Sequence, residues 1–124
     1  MEFYTYSFEK LQVWKDSREL VKMIYLLTKA YPSSELYGLS SQMRRAAVSI
    51  SANLSEGSGR THLKEQAHFY QIAYSSAIEL LNESILSQDL NYISNEEYTH
   101  ARLLIEKITR QVAQLRKNTN SINR

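Results

Sequence analysis

Residues 61–89 read THLKEQAHFYQIAYSSAIELLNESILSQD, a run that contains neither glycine nor proline. Apolar side chains recur in it at intervals of three and four residues, the spacing of one face of an α-helix. The main stripe comprises Leu63, Ala67, Tyr70, Tyr74, Ala77, Leu81 and Ile85, and a second stripe comprises Phe69, Ala73 and Leu80. This stretch therefore predicts a long helix with apolar surface for more than one neighbour.

Residues that interrupt helices are confined to one short part of the chain. The 124 residues include 3 glycines and 1 proline, where an average chain would carry roughly 15 of the two together. All four lie between Pro32 and Gly59. This distribution excludes a turn-rich β-sandwich, a collagen-like repeat and a Pro/Gly-rich disordered chain, and it favours a helical protein.

Apolar spacing in the remaining sequence predicts three more helices, and thus an all-α protein built as an antiparallel up-down-up-down four-helix bundle. We expect the four helices at residues 8–31, 39–56, 61–89 and 95–116. Residues 1–7 then form an N-terminal extension, and residues 117–124 form a flexible polar tail.

Residues at the expected helix ends carry recognisable signals. Pro32 disfavours helix in its predecessor and should stop the first helix at Tyr31. Gly57 should end the second helix in a left-handed conformation, and Ser58 or Thr61 should cap the third. Further along, Asn91 tolerates a left-handed turn, and Ser94 with Glu97 forms a capping box for the fourth helix.

Composition excludes several functional classes. The absence of cysteine removes disulfides, thiol catalysis and thiolate metal sites. Apolar runs stay well short of the roughly 18–20 residues that span a bilayer, and the acidic, aromatic start at residues 1–4 does not look like a secretory signal. We therefore expect a cytoplasmic protein without a membrane partner. The net charge of +2 is too small to indicate a nucleic-acid partner by itself.

Two Glu-x-x-His pairs, Glu65 with His68 and Glu97 with His100, repeat a pattern of di-iron bundle proteins. Such a site also needs a glutamate from each remaining helix, nominally Glu19 and Glu56. Both pairs lie in first turns, however, and antiparallel helices place these turns roughly 30 Å apart, whereas a two-metal site needs about 4 Å. Glutamates in first turns also favour the positive end of the helix dipole. We therefore predict no metal site.

Catalytic motifs are equally weak. The serines do not lie in a Gly-x-Ser-x-Gly turn, and the three histidines lie at expected helix starts. Residues 57–60, Gly-Ser-Gly-Arg, resemble an anion-binding loop but lack the Lys-Ser/Thr and the preceding strand of a phosphate loop. We therefore predict a protein that is not an enzyme, with no cofactor and no small-molecule substrate.

The face of the second helix opposite its apolar stripe has an unusual composition, because its side chains are small and uncharged where a solvated face would carry Lys and Glu. Small side chains permit close approach of another helix, and flanking charges can pair with it. We predict a subunit interface there, formed by Ser41, Arg45, Val48, Ala52, Ser55 and Glu56.

Basic residues near the same helix offer a second hypothesis. Arg44, Arg45 and Arg60 are candidate phosphate contacts of a nucleic-acid-binding protein. The tyrosines fall mostly on or beside apolar stripes, so they do not form the stacking platform that single-strand binders use.

A pattern of fixed spacing surrounds the second helix. Its positions are Pro32, Glu35, Tyr37, Gly38, Leu39, Gln42, Arg44, Arg45, Ala46, Ala47, Ser49, Ile50, Asn53, Glu56, Gly57, Gly59 and Arg60. This pattern resembles the signature of the 23S rRNA intervening-sequence protein family. The opening Phe8-x-x-Leu11-x-Val13-Trp14 is similar as well, and the similarity extends over about residues 8–116. Departures occur at Ser51, where the family often has proline, at Ser75, where it often has glycine, and at Leu81, where an acidic residue is common.

The resemblance implies a four-helix bundle without an assigned catalytic residue. Related bundle proteins, the accessory proteins of diversity-generating retroelements, form ring-like pentamers that associate with a reverse transcriptase and nucleic acid. The resemblance thus implies a homo-oligomer, in particular a pentamer, and suggests an RNA-associated role. Two hypotheses stay open: an oligomeric scaffold, and an RNA-binding accessory protein that acts through basic residues of the oligomer.

Overall fold

The computed structural model describes residues 1–122, and side chains up to Thr119. It contains four long helices: α1 at Gln12–Thr28, α2 at Leu39–Ser58, α3 at Leu63–Asp89 and α4 at Asn95–Ile122. Two 3₁₀ turns, Ser7–Lys10 and Ser33–Glu35, precede α1 and α2. The predicted all-α class is confirmed.

The helices form a ring in which each one packs against two neighbours. α2 lies between α1 and α3, and α4 closes the ring by packing against α3 and α1. Side-chain bonds give the direction of neighbouring helices. Ser49 of α2 bonds Ser76 of α3, whereas Met43, earlier in α2, is contacted by Ser87, later in α3. This reversed order is that of an antiparallel pair, and the fold is the predicted four-helix bundle.

Apolar residues from all four helices fill the centre of the bundle. The apolar stripe of α2 is buried except at Leu39, which is half-buried; its other members are Met43, Ala46, Ala47, Ile50 and Leu54. On α3 the burial lies between the two predicted stripes, and Ile85 at the end of the main stripe is 36% exposed. The largest fully enclosed apolar side chains are Leu20, Ile24, Met43, Ile50, Leu54, Leu80, Ile105, Ile108 and Val112.

Helices α2 and α3 approach each other closely because small residues line their contact. Gly57 is buried, and a Cβ atom placed on it would lie 2.7 Å from Cε1 of Tyr70 and 3.0 Å from Cβ of Phe69. Ala46, Ala73 and Ala77 are buried along the same two helices. The glycine is therefore required by the tyrosine that packs on it.

This finding corrects the sequence prediction at the end of α2. Gly57 was expected to be left-handed and to terminate the helix, but it lies inside α2, which continues to Ser58. The prediction that Ser58 or Thr61 caps α3 is also wrong. His62 occupies the N-cap position, and its carbonyl accepts the N–H of Gln66. Close packing against Tyr70, rather than turn geometry, accounts for the glycine.

The first helix is shorter than expected from residues 8–31. Leu11 has an extended backbone, with φ −73° and ψ 122°, and separates the 3₁₀ turn from α1. At the other end the helix stops at Thr28, and Tyr31 donates its N–H to the Thr28 carbonyl in a tighter turn. The tighter turn buries the Tyr31 ring, whose hydroxyl contacts the Met43 sulfur at 3.5 Å. The first helix therefore ends three residues before the position that Pro32 by itself predicts.

The fourth helix is longer than expected. It continues through residues 117–122, where the sequence predicted the start of a flexible tail, and residues 123–124 lie outside the described residues. Thr119 is buried and donates its hydroxyl to the Leu115 carbonyl at 2.9 Å. The helix therefore continues past Leu115, with a buried polar residue in its extension.

The loop between α3 and α4 follows its sequence signals. Asn91 has a positive φ of 61°, and Ser94 and Glu97 exchange hydrogen bonds of 3.0 and 2.8 Å, which confirms the capping box. Glu35 connects this loop to α2, because its carboxylate accepts the N–H of Leu39 at 3.1 Å and the hydroxyl of Tyr92 at 2.9 Å.

Asp16 is a buried acid at the contact of α1 with α4. Its carboxylate accepts hydrogen bonds from Gln12 and Gln111 at 3.1 and 3.0 Å, and Lys107 lies 3.3 Å away. Burial by itself would raise the pKa of this carboxyl, but the donors and the lysine charge outweigh burial and lower it. Asp16 therefore stays ionised and ties the two helices together.

Glu83 is a buried acid of the opposite kind. Only 3% of its surface is exposed, and its Oε1 has no hydrogen-bond partner among the described residues. Burial, together with the neighbouring Glu79 carboxylate, raises the pKa of Glu83 to about 7. The ionised form is thus disfavoured in the folded chain, and the pair holds a proton up to neutral pH.

We predict that Gly57→Ala destabilises the protein by on the order of 1–2 kcal/mol, because overpacking against Tyr70 exceeds the gain in helix propensity. Gly59→Ala is the matched control, since its added Cβ would lie 3.6 Å or more from its neighbours. Urea denaturation followed by circular dichroism measures both free energies of unfolding. Equal stability of the Gly57→Ala variant and the wild type would contradict the close contact.

We predict that Glu83→Gln removes a loss of stability at neutral to alkaline pH. A carboxyl with a raised folded-state pKa contributes most below its ordinary pKa, and that contribution is lost as pH rises through about 7. The glutamine variant should match the wild type near pH 5 and exceed it at pH 8 by on the order of 2 kcal/mol. Urea denaturation at each pH, on protein that light scattering shows to be monomeric, measures this difference. Parallel pH profiles would contradict it, and Glu2→Gln, which changes an exposed carboxyl, is the control.

Candidate interface on helix α2

The six residues predicted to form an interface lie on one outward face of α2. Arg45, Val48, Ala52 and Glu56 are exposed, while Ser41 and Ser55 are half-buried. They follow one another at intervals of one, three or four residues, so they share one side of the helix. The structure therefore brings the predicted set together as a continuous stripe, which we call the α2 face. Its role as an interface stays a prediction.

An apolar groove adjoins the N-terminal half of the α2 face. It has a volume of about 850 Å³ and runs between α1, the loop before α2, and α2 itself. Tyr37 is 93% exposed, and Leu36 and Val48 are 48% and 42% exposed. The groove is lined by Tyr25, Leu36, Tyr37, Ser41, Arg44, Arg45, Val48 and Ser49. Large apolar side chains held open to solvent in this way mark surfaces that bind a partner.

A second, polar groove lies on the other side of the α2 face, between α2 and α3. Its volume is about 390 Å³, and it is lined by Gln42, Arg45, Ala46, Ser49, Ser76 and Glu79. The hydroxyls of Ser49 and Ser76 are 2.9 Å apart, and Asn53 donates to the Ser49 hydroxyl at 3.1 Å. Gln42, Arg45 and Ser49 are signature positions, so part of that pattern forms this groove.

Arg45 and Ser49 line both grooves and thereby join them. The two grooves and the α2 face form one continuous surface, apolar towards α1 and polar towards α3. Glu79 lines the polar groove one helical turn before the buried Glu83, whose pKa is raised by burial and by the Glu79 carboxyl. This surface has the mixed character of protein interfaces, an apolar core with polar groups at its margin.

The three candidate phosphate contacts do not form one patch on a single chain. Arg44 donates to the Thr28 hydroxyl at 2.9 Å and lies over the Tyr25 ring, so its side chain is held against α1. Arg60 lies over the Phe69 ring, 4.6 Å from its centre, just beyond the other end of α2. Arg45 and Arg60 are fifteen positions apart, most of them in α2, which corresponds to roughly 20 Å. Their role in nucleic-acid binding stays a prediction.

The two Glu-x-x-His pairs lie at opposite ends of the bundle, in the first turns of α3 and α4. His68 and His100 are exposed, and His68 packs edge-on against Phe69. Within the described part of the chain, no three His, Cys, Asp or Glu side chains group as metal ligands would.

Several residues of this surface escape sequence reasoning. Leu36 and Tyr37 fall in a connection without periodicity, so nothing in the local pattern reveals their neighbours. Glu83 did carry a signal, because it lies three residues after Leu80 and thus on the second apolar stripe of α3. A charged residue on a buried stripe is a candidate for an unusual environment.

Over residues 1–122, none of the helices combines the length and the apolar character that crossing a membrane requires.

Comparison with known proteins agrees with the fold and the signature. No curated protein matches the chain significantly. A solved structure of a protein of unknown function from the S23 ribosomal protein family of Bacteroides thetaiotaomicron superposes with a TM-score of 0.77 at 23% identity, covering 85% of this chain and 95% of that one. At this identity the likeness shows the fold. The sequence model of the 23S rRNA-intervening sequence protein matches residues 9–114, most of the chain. The protein therefore belongs to the 23S rRNA-intervening sequence protein family.

Proposed function

We propose that this protein is a non-enzymatic scaffold that assembles into a homo-oligomer through the α2 face. The observation that carries the proposal is the apolar groove beside that face, in which Tyr37, Leu36 and Val48 stay open to solvent in the single chain. Fully burying one such side chain contributes roughly 1.5–3 kcal/mol. A second copy that covers the groove therefore gains binding free energy from each apolar side chain that it buries. The family resemblance supports a pentamer.

The composition of the α2 face supports a copy of the same chain as the occupant. Ser41, Ala52 and Ser55 allow a helix backbone to come close, and Arg45 and Glu56 offer one charge of each sign along the stripe. A surface that carries both signs can complement another part of the same molecule in a closed ring. The proposed interface therefore needs no second kind of chain.

The chemistry of the polar groove supports a scaffold rather than an enzyme. The Ser49 hydroxyl is bonded to Ser76 and Asn53, and neither partner can act as the general base that a nucleophilic serine requires. The histidines that could serve as a base lie in or just before the first turns of α3 and α4. The groove is therefore suited to recognition.

We predict that Val48→Glu dissociates the assembly without unfolding the chain, because it places a charge in the apolar part of the interface. Ala52→Glu should act in the same way. Leu103→Glu is the matched control, since Leu103 is 60% exposed on α4, outside the α2 face. Sedimentation equilibrium measures the mass, and circular dichroism measures the helix content. A wild type that sediments as a 14.4 kDa monomer at micromolar concentration would contradict the proposal.

RNA binding by the assembled oligomer is a second candidate function. The supporting observation is that Arg45 and Arg60 are exposed and form no ion pair within the described residues. A closed ring would repeat each of these charges once per subunit, so arginines that are far apart on one chain come to lie in a band around the assembly.

We predict for this second function that affinity for a fluorescent RNA hairpin falls more than tenfold between 50 and 200 mM salt, as expected when several phosphates are neutralised. Arg60→Glu should weaken binding, whereas Arg110→Glu, an exposed arginine of α4, should have little effect. Fluorescence anisotropy on protein of verified oligomeric mass measures the affinity. Binding that is insensitive to salt would exclude a phosphate-based mode.

A further inference from the structure

We infer that Glu79 and Glu83 form a receptor in the polar groove for a basic side chain, a guanidinium or an ammonium group, contributed by a second copy of the chain. This inference rests on the proposed assembly through the α2 face. It adds the chemistry of one contact within the interface and a link between assembly and pH.

One oxygen of the Glu83 carboxyl, Oε1, is buried without a hydrogen-bond partner in the described residues. A buried carboxyl oxygen without a donor costs roughly 1–3 kcal/mol, and more when it is charged. Glu83 has such an oxygen while only 3% of its surface is exposed. Asp16 shows how the same chain satisfies a buried carboxylate when donors are present, with Gln12, Gln111 and Lys107 around it. Glu83 lacks the equivalent donors within the described chain.

Glu79 is the member of the acidic pair that a docking molecule can contact. Glu79 lies one helical turn before Glu83, its carboxyl is in hydrogen-bonding reach of the Glu83 carboxyl, and it lines the polar groove. The groove opens beside the α2 face, because Arg45 and Ser49 belong to both. A molecule that docks on the α2 face therefore covers the groove at Glu79, the exposed member of the pair, next to the buried Glu83.

Within the described residues, the basic side chains of the same chain form no ion pair with Glu79 or Glu83. α3 packs against α2 and α4. On α2, Arg45 lines the groove but forms no ion pair with Glu79 or Glu83 in the described residues, and Arg44 is held by Thr28 on α1. On α4, Arg102 is bonded to Glu106 at 3.1 Å and to Tyr98 at 2.7 Å.

A basic side chain is the ligand that suits the two carboxyls of Glu79 and Glu83 best. A guanidinium or ammonium group supplies several donors and a positive charge, which is what two adjacent carboxyls lack. A divalent cation fits less well, because the other lining groups are neutral or, in Arg45, positive. The chain offers many candidates, since only Lys22, Arg102 and Lys107 form ion pairs within its described part. A second copy therefore brings the required charge itself.

The consequence is a link between assembly and pH. Without a cation the two carboxyls share a proton, because burial and the charge of Glu79 raise the pKa of Glu83 to about 7. Docking of a basic group replaces this proton. Assembly should therefore release protons and strengthen as pH rises from 6 to 8, by on the order of tenfold per interface for one group that titrates near 7.

The test is sedimentation equilibrium of the wild type and of Glu83→Gln at pH 6, 7 and 8, with circular dichroism to verify the fold at each pH. We expect the wild-type association constant to rise about tenfold over this range and the glutamine variant to show a flat profile. Glu79→Gln should weaken assembly at pH 8. Glu65→Gln, an exposed glutamate in the first turn of α3, is the control and should keep the wild-type profile.

The outcomes separate this inference from the proposed function. A folded oligomer whose association is independent of pH, or a Glu83→Gln variant with the wild-type profile, overturns the inference and leaves assembly through the α2 face intact. A monomer under all conditions overturns both. A further arm treats the wild type at pH 8 with EDTA and then adds 1 mM CaCl₂. If EDTA abolishes assembly and calcium restores it, while Glu83→Gln responds to neither, the pair binds a metal ion and the inference is wrong.

Discussion

The close approach of α2 to α3 is the constraint on which the rest of the structure depends. Gly57 receives the ring of Tyr70, and small side chains continue the contact along both helices, including the Ser49–Ser76 hydrogen bond. Small residues contribute little apolar area each, so this helix pair depends on the fit of its surfaces more than on the bulk of its side chains. The same helix pair forms the polar groove, which lies directly beside the exposed face of α2.

Two buried acids show how the bundle treats charge in its interior. Asp16 and Glu83 are both removed from solvent, yet their pKa values move in opposite directions, because Asp16 has donors from α1 and α4 and Glu83 has a second carboxyl. Ionised Asp16 supports folding at neutral pH, and this contribution is lost in acid as pH falls through its lowered pKa. Ionised Glu83 opposes folding above about pH 7. The two carboxyls therefore limit the stable pH range from opposite sides.

Sequence patterns predict the fold far better than the surface. The spacing of apolar residues on α3 is sufficient to predict a long helix with two neighbours, because periodicity is local information. The local pattern does not explain Gly57, because this glycine makes room for the ring of Tyr70, thirteen positions further along the chain. In the same way, α1 ends at Thr28 because the turn that follows buries Tyr31. Leu36 and Tyr37 gain their significance only when the fold places Val48 beside them. Residues whose role comes from tertiary contact leave no local signal.

The α2 face differs from other exposed apolar sites in how its neighbourhood is built. Leu103 on α4 is more exposed than Val48, but it lies in a shallow depression beside residues of its own helix, Asn95, Glu96, Thr99 and His100. Val48 lies between an apolar groove and a polar one that share Arg45 and Ser49. A second copy docked on this surface, as proposed, would bury tyrosine and leucine on one side and meet the Glu79–Glu83 pair on the other. In the proposed assembly, hydrophobic gain would supply affinity, and the carboxyl pair would supply selectivity for a partner that brings positive charge.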